Sequence, residues 1–313
     1  MTRLSSESPL SSDPHSGAKP RGGRLAAVAG LALALGGCAR LDVLDPAGPV
    51  GAGEAQIMLD SLAVMLAIVI PTIVATLGFA WWFRASNKRA RYLPDWEFSG
   101  RIELVIWSIP VLVVMFLGGM AWVSSHALDP SVPTPGVAKP LRVQVVSLDW
   151  KWLFLYPDQG VASVNRLVLP VGTPVRFELT SGSVMTAFFV PRLGSMIYTM
   201  NGMVTPLNLR ADRPGSYAGE AAHFSGDGFA DMNFHADAIP PAAFAAWAAQ
   251  ARQTGPTLDK AAYRTLSQQS AHVAPFTYRA YAPTLFDDIV AQRLPPGPGP
   301  ASADAAPPKP GAG

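Results

Sequence analysis

The hydrophobic positions of this sequence form two kinds of pattern: long apolar stretches in the first part of the chain and short alternating runs afterwards. Two stretches, SLAVMLAIVIPTIVATLGFAWWF (61–83) and LVIWSIPVLVVMFLGGMAWVSS (104–125), contain no charged residue, and each can span a bilayer as a helix. Pro71 and Pro110 lie mid-span, where membrane helices tolerate proline because neighbouring groups satisfy the freed carbonyl. The pattern predicts a hairpin of two transmembrane helices.

The segment between the two spans indicates how the hairpin is oriented. This segment, RASNKRARYLPDWEFSGR (84–101), carries five basic residues and two acidic ones. Cytoplasmic loops are enriched in Lys and Arg, so we expect it in the cytoplasm. Residues from about 127 onward are then expected on the outer side of the membrane.

A third, shorter apolar stretch, LAAVAGLALALGG (25–37), follows two arginines and has about half the length that a transmembrane helix needs. It is typical of an export signal, so residues 1–37 are expected to be an N-terminal extension with a signal peptide. The residues LGGC (35–38) resemble the lipobox of bacterial lipoproteins, which implies that Cys38 is acylated and begins the mature chain. The alternative is an incidental or buried cysteine after an ordinary signal.

The second half of the chain is expected to fold outside the membrane. After a Pro-rich linker (128–140), the alternating runs LRVQVVS (141–147), PVRFELTS (174–181) and TPLNLRA (205–211) predict an antiparallel β-sandwich or barrel in a domain that ends near residue 240. Ala- and Gln-rich segments predict two helices within 241–293, and the tail 294–313 has too little apolar content to fold.

Composition supports a membrane protein and argues against a nucleic-acid partner. Hydrophobic residues make up 49% of the chain and charged residues 15%, with a net charge of only +2. Cys38 is the single cysteine, so an intramolecular disulfide and a pair of metal-binding thiolates are both excluded.

Several motifs resemble one known family. With the hairpin and the lipobox, the segments LDWKWLFLYP (148–157) and MTAFFVPRLGSMIYTMNGM (185–203) resemble subunit II of the haem-copper terminal oxidases, and more narrowly that of the bo-type ubiquinol oxidases. The resemblance covers roughly residues 30–290. It implies a membrane α + β fold: a two-helix transmembrane hairpin followed by an extracytoplasmic cupredoxin-like Greek-key β-barrel with C-terminal helices.

The segment AAHFSGDGFADM (221–232) decides between the two branches of that family. In cytochrome c oxidases, a loop Cys-x-Glu-x-Cys-x-x-x-His-x-x-Met and an upstream histidine hold the dinuclear copper A centre. The resemblance places non-ligand residues at five of the six positions and keeps only the methionine; the matched positions are Thr186, Ala221, His223, Ser225, Phe229 and Met232. Because the exported domain also has no cysteine, we expect no metal on this chain.

The resemblance then implies a role without electron transfer for this chain. Ubiquinol, the substrate of the complex, would be oxidised within subunit I, whose haems and copper B reduce oxygen to water while protons are pumped. This chain would carry no catalytic residue and no cofactor. Its partners would be subunit I, further small membrane subunits and membrane lipid, and its location the bacterial inner membrane as a multi-pass lipoprotein with its main domain in the periplasm.

One ionisable residue has a predicted role. Glu103 lies at the cytoplasmic start of the second span, and the resemblance places it at the mouth of the K-type proton channel of subunit I, where a carboxylate beside low dielectric can relay protons. The alternative is an interfacial charge that is solvated by water and paired with Arg101.

Four aromatic residues alternate along one predicted strand: Trp150, Trp152, Phe154 and Tyr156. Alternation places all four on one face. We interpret them as core or subunit packing; an electron path or a quinol contact is the alternative.

Two other functions compete with the ubiquinol oxidase subunit. One is a cytochrome c oxidase subunit II with an atypical metal site. The other is a lipid-anchored binding or copper-delivery module without a respiratory partner. The two spans argue against the second, because acylation already supplies one anchor and further helices are useful for packing within a larger membrane complex.

Overall fold

The computed structural model describes residues 42–298, except residues 92, 96, 135 and 137. Two long helices come first, α1 (Pro49–Trp82) and α2 (Gly100–Ala127), and both are long and apolar enough to cross a membrane. Both contain their predicted proline and continue through it. The two predicted spans are therefore helical in the structure.

Helix α1 begins well before the predicted span, and its first turns pack against the β-domain. Pro49 starts the helix directly after Gly48, a position where proline is favoured because its fixed φ suits the first helical turn. A side chain at Gly48 would collide with the carbonyl of Arg210, and the amide of Gly51 donates to the carbonyl of Leu193 at 3.0 Å. The start of α1 is thus fixed to the domain by close backbone contact.

The β-domain consists of two sheets and a two-stranded ribbon. The larger sheet has the order β12-β3-β2-β1-β5-β8, the second sheet β4-β10-β9-β6-β7, and the ribbon β11-β13. The strands are β1 (Leu141–Leu148), β2 (Lys151–Tyr156), β3 (Val161–Val164), β4 (Arg166–Pro170), β5 (Val175–Ser181), β6 (Thr186–Phe189), β7 (Ile197–Thr199), β8 (Thr205–Leu209), β9 (Gly215–Ala221), β10 (Asn233–Ile239), β11 (Thr257–Leu258), β12 (Phe276–Tyr278) and β13 (Ala280–Tyr281).

The sheets are mixed, although the alternation predicted antiparallel strands. β1 pairs with β5 in parallel, with Leu141 opposite Val175, and β10 pairs with β4 in parallel. The remaining pairs of both sheets are antiparallel. The prediction missed the parallel pairs because period-two alternation specifies which face is buried and carries no information on strand direction.

The core between the two sheets is built on β2. Trp152, Phe154 and Tyr156 are all fully buried on one face, and Phe188 and Phe234 from the second sheet stack at 5.2 Å between ring centroids beside them. The predicted packing role is thus confirmed for these three aromatic residues.

Trp150 does not continue that row. It lies in the two-residue turn between β1 and β2 with a positive φ of 64°, which alternation cannot foresee. Its ring is half-buried against the same core.

The C-terminal region forms three helices rather than the two predicted. They are α3 (Pro241–Gln253), α4 (Lys260–Leu266) and α5 (Leu285–Val290). The region supplies buried side chains to a second core cluster on the other face of β2, where Leu153 and Leu155 lie; those from the C-terminal region include Leu258, Tyr263, Tyr278, Leu285, Phe286 and Ile289. Helix α5 was missed because six residues are too few to show a helical period.

Candidate functional site

The loop that joins β9 to β10 brings the predicted copper A positions together. The hydroxyl of Thr186 donates to the carbonyl of His223 at 3.0 Å, across two strands. The amide of Ala221 donates to the carbonyl of Met232 at 3.1 Å, and the hydroxyl of Ser225 lies 3.9 Å from the sulfur of Met232. The two ends of the loop and the start of β6 therefore form one cluster.

The side chains in this cluster do not fit a dinuclear copper centre. Ala221 has no donor atom, Phe229 presents a ring, and the hydroxyl of Thr186 is already bonded to a carbonyl. Met232 is only 1% exposed and packs in the core. In the part of the chain that the structure describes, no three His, Cys, Asp or Glu side chains are grouped as a metal ion would require. A copper pair needs thiolate bridges, and this donor set provides none.

Two tryptophans hold the loop in place. The indole Nε1 of Trp150 donates to the carbonyl of Ser225 at 3.1 Å, and its ring lies so close to Gly228 that a side chain there would collide with it. The indole Nε1 of Trp152 reaches the carbonyl of Met232 at 3.4 Å. The loop thus has a defined conformation that is maintained by hydrogen bonds and packing.

His223 lies in this loop with one ring nitrogen buried. It is half-buried, its Nδ1 is buried with no hydrogen-bond partner among the described residues, and its ring meets that of Tyr198 edge to face at 5.7 Å between ring centroids. The nearby Phe224 is 69% exposed and contacts Phe229 at 5.6 Å between ring centroids. The loop therefore exposes one large aromatic side chain, Phe224, beside the exposed carboxylate of Asp227.

Comparison with known proteins identifies the family. Residues 158–239 match the family model described as cytochrome C oxidase subunit II, periplasmic domain, and residues 252–297 match the COX aromatic rich motif. Ubiquinol oxidase subunit 2 of Acetobacter aceti is 49% identical over 274 residues, covering 86% of this chain and 88% of the relative. The chain belongs to the ubiquinol oxidase subunit 2 family.

A second relative agrees. Cytochrome bo(3) ubiquinol oxidase subunit 2 of Pseudomonas aeruginosa is 45% identical over 259 residues, covering 83% of this chain and 78% of the relative. The resemblance to the quinol branch of the family and the fold class are therefore confirmed. Neither a cytochrome c oxidase subunit nor an independent copper-delivery module is favoured by these relatives.

Glu103, the predicted proton-path residue of this family member, lies in the first turn of α2. Its side chain is exposed, and its amide donates to the carbonyl of Ser99 at 3.0 Å. Of the residues that the structure describes, none forms an ion pair with Glu103, and its role in proton entry stays a prediction. Cys38, the predicted lipid-attachment residue, lies outside the described residues.

Lys151 is a buried charge beside the loop that the residue pattern did not predict. The ammonium of Lys151 donates to the carbonyl of Asp149 at 2.9 Å, the carbonyl of Gln268 at 2.8 Å and the hydroxyl of Ser270 at 2.7 Å. Burial lowers the pKa of Lys151 to about 8, against the opposing effect of the Asp149 charge. The sequence LDWKWLF places this lysine between two tryptophans in a predicted strand. A lysine buried at such an apolar position needs hydrogen-bond partners, and this pattern could have indicated the buried charge.

Proposed function

We propose that this chain, as subunit II of a ubiquinol oxidase, carries no electrons and instead supports the complex with its helices and periplasmic domain. Ubiquinol would be oxidised on subunit I, whose haems and copper B would reduce oxygen to water. The observation that carries this proposal is the loop between β9 and β10. Neither this loop nor the adjoining strand ends carry a thiol at the copper A positions, and Thr186 and Phe229 stand where the family has its two histidine ligands.

The choice of electron donor tests this proposal. We expect the complex that co-purifies with the tagged chain to contain haem, to oxidise ubiquinol and to leave reduced cytochrome c unoxidised. Metal analysis should find one copper per complex, the copper B of subunit I. Two further copper ions with a mixed-valence electron spin resonance signal, or turnover with cytochrome c, would contradict it.

We further propose how the chain is placed in the membrane. Cys38 would carry a lipid at the outer surface of the inner membrane. The two-helix hairpin would pack against subunit I, and the β-domain would lie in the periplasm. The exposed apolar surfaces of α1 and α2 support this placement, because side chains such as Leu112 and Val114 need lipid or another helix around them. Mass analysis of the mature N-terminus tests the lipid: an unmodified Cys38 contradicts it.

Glu103 is proposed to admit protons to the complex from the cytoplasmic side. Its support is its exposed carboxylate in the first turn of α2, which forms no ion pair with any residue that the structure describes. We expect Glu103→Ala to slow oxygen consumption severalfold, because the alanine cannot relay a proton, and Glu103→Asp to retain most of the activity.

Glu97→Ala is the matched control for this prediction. Glu97 is an exposed carboxylate in the segment directly before α2, so its loss changes the local charge equally without removing the proposed relay. Oxygen consumption and proton uptake are measured on the assembled oxidase. Unchanged rates in Glu103→Ala, or an equal decrease in Glu97→Ala, refute the proton role.

A further inference from the structure

A groove lies where α1 and α2 meet the basic loop, the Lys- and Arg-rich segment 84–101 between the two predicted spans. It encloses about 870 Å³ and is open on one side. Most of its lining is apolar and aromatic, contributed by the end of α1, the loop and the start of α2: Phe79, Trp82, Phe83, Leu93 and Ile102. Its volume is in the range of sites that take a small organic molecule.

The rest of the lining is two cations. Arg89 and Arg91 are exposed, and no acidic residue in the described part of the chain lines the groove. Among the described residues, neither arginine forms an ion pair. Arg84 of the same loop differs, because its guanidinium bonds the hydroxyl of Ser86 at 3.0 Å and the carbonyl of Trp81 at 3.2 Å. The groove therefore combines an apolar interior with two guanidinium groups that have no anionic partner among the described residues.

We propose that this groove binds one anionic phospholipid of the cytoplasmic leaflet. The phosphate would lie between Arg89 and Arg91, because a guanidinium donates two parallel hydrogen bonds to phosphate oxygens. An acyl chain would lie along the aromatic wall. Trp81 and Trp82 are of the residue type that concentrates at the membrane interface, which places the two arginines at headgroup depth.

The combination of charge and apolar surface selects this occupant. A free phosphate would leave the aromatic wall in contact with water, whereas a phospholipid satisfies the cations and covers the apolar surface together. Basic pockets between the cytoplasmic ends of membrane helices bind anionic headgroups for the same reason. The inference rests on the proposed orientation of the loop and does not depend on the electron donor.

Lipid binding to the assembled oxidase tests the inference. The delipidated complex in mild detergent is titrated with phosphatidylglycerol and, separately, with phosphatidylcholine, and bound lipids are counted by native mass spectrometry. We expect the double variant R89Q/R91Q to bind phosphatidylglycerol about thirtyfold more weakly at the tightest site, as the loss of two juxtamembrane cations predicts. Binding of phosphatidylcholine should be unchanged.

Two controls distinguish a site from general attraction. Arg84→Gln removes one charge from the same loop outside the groove and should leave phosphatidylglycerol binding unchanged, and R89K/R91K should retain part of it. In the wild-type complex, added salt should weaken the binding of phosphatidylglycerol and spare that of phosphatidylcholine.

Several results would overturn the inference. One is an equal loss in Arg84→Gln; another is unaltered binding in R89Q/R91Q, as expected if subunit I fills the groove. Binding of phosphatidylglycerol to the wild-type complex that does not change with salt would also overturn the inference. This measurement applies even if the double variant fails to assemble. Ubiquinol oxidation by each variant is measured in parallel. A complex that does not oxidise ubiquinol contradicts the proposed function, and this result is distinguished from a loss of lipid binding.

Discussion

Lys151 is the residue whose environment departs furthest from what its type prefers. It is 1% exposed and lies in a strand whose flanking side chains fill two apolar clusters. Its three hydrogen bonds connect the turn between β1 and β2 with residues Gln268 and Ser270, more than a hundred positions later. The ammonium therefore connects the C-terminal region to β2, the strand that carries Trp152. This contact requires the removal of a charged group from water, which is unfavourable.

This burial predicts a pH dependence of stability. The folded-state pKa of about 8 lies below the unfolded value of 10.5, so between these pH values the unfolded chain binds more protons than the folded one. The free energy of unfolding should therefore rise from about pH 8 to about pH 10.5, and Lys151 contributes no slope below that window.

The comparison of wild type with Lys151→Met isolates this contribution from the tyrosines that also titrate at high pH. Urea unfolding of the full chain in detergent, followed by tryptophan fluorescence, is measured at several pH values. We expect the difference in free energy between the two proteins to change across the window. A difference that is constant from pH 7 to pH 10.5 would show that Lys151 is not perturbed.

At the scale of elements, the junction between α1 and the β-domain is held by polar contacts as well as by the close approach of Gly48. A carboxylate oxygen of Glu54 accepts hydrogen bonds from the amide of Ser195 at 2.8 Å and from its hydroxyl at 3.1 Å. Ser195 and the preceding Gly194 both have positive φ, a conformation that is unfavourable for serine. The contact with Glu54 stabilises this turn and so fixes the domain relative to the helix.

Glu54→Ala should release this turn. Hydrogen bonds to a charged group contribute about 1.5–3 kcal/mol each, and the strained serine would lose its partner. We expect faster amide hydrogen exchange at residues 193–195 of the assembled oxidase, by at least about tenfold for a loss of about 1.5 kcal/mol. Asp60→Ala, an exposed acid further along α1, is the control and should leave this exchange unchanged.

On the scale of the whole molecule, the C-terminal region belongs to the fold of the β-domain. β12 extends the larger sheet beside β3, and β11, α4 and α5 cover the outer face of β2 with side chains that are almost completely buried, such as Leu258, Tyr263 and Phe286. Their removal would expose Leu153 and Leu155 to water.

A truncation after residue 252 should therefore unfold the domain. Each fully buried apolar side chain contributes about 1.5–3 kcal/mol, so the six buried side chains of this region that pack on Leu153 and Leu155 contribute about 9–18 kcal/mol, as much as the about 5–15 kcal/mol that stabilises a typical domain. We expect the truncated chain to be degraded or aggregated, as measured by its yield in the membrane fraction. A truncation after residue 300 is the control and should give the wild-type yield, because the removed tail contributes no large apolar side chain. A stable, assembled product from the shorter chain would contradict the prediction.

The sequence by itself determined the features that depend on residue type and local order. About twenty uncharged apolar residues in a row favour a membrane helix, so both spans were predictable. Alternation identified β1, β5 and β8, and the residues at the six copper A positions showed, through the family resemblance, a loop without thiolates.

Only the tertiary structure decided the features that join distant parts of the chain. The bond between Lys151 and Gln268 spans 117 positions and that between Glu54 and Ser195 spans 141, and no local pattern encodes such partners. The parallel pairing of β1 with β5, the turn at Trp150 and the groove between Phe79 and Ile102 likewise depend on how elements meet. Periodicity determines which face of an element is buried, whereas packing in three dimensions determines what covers that face.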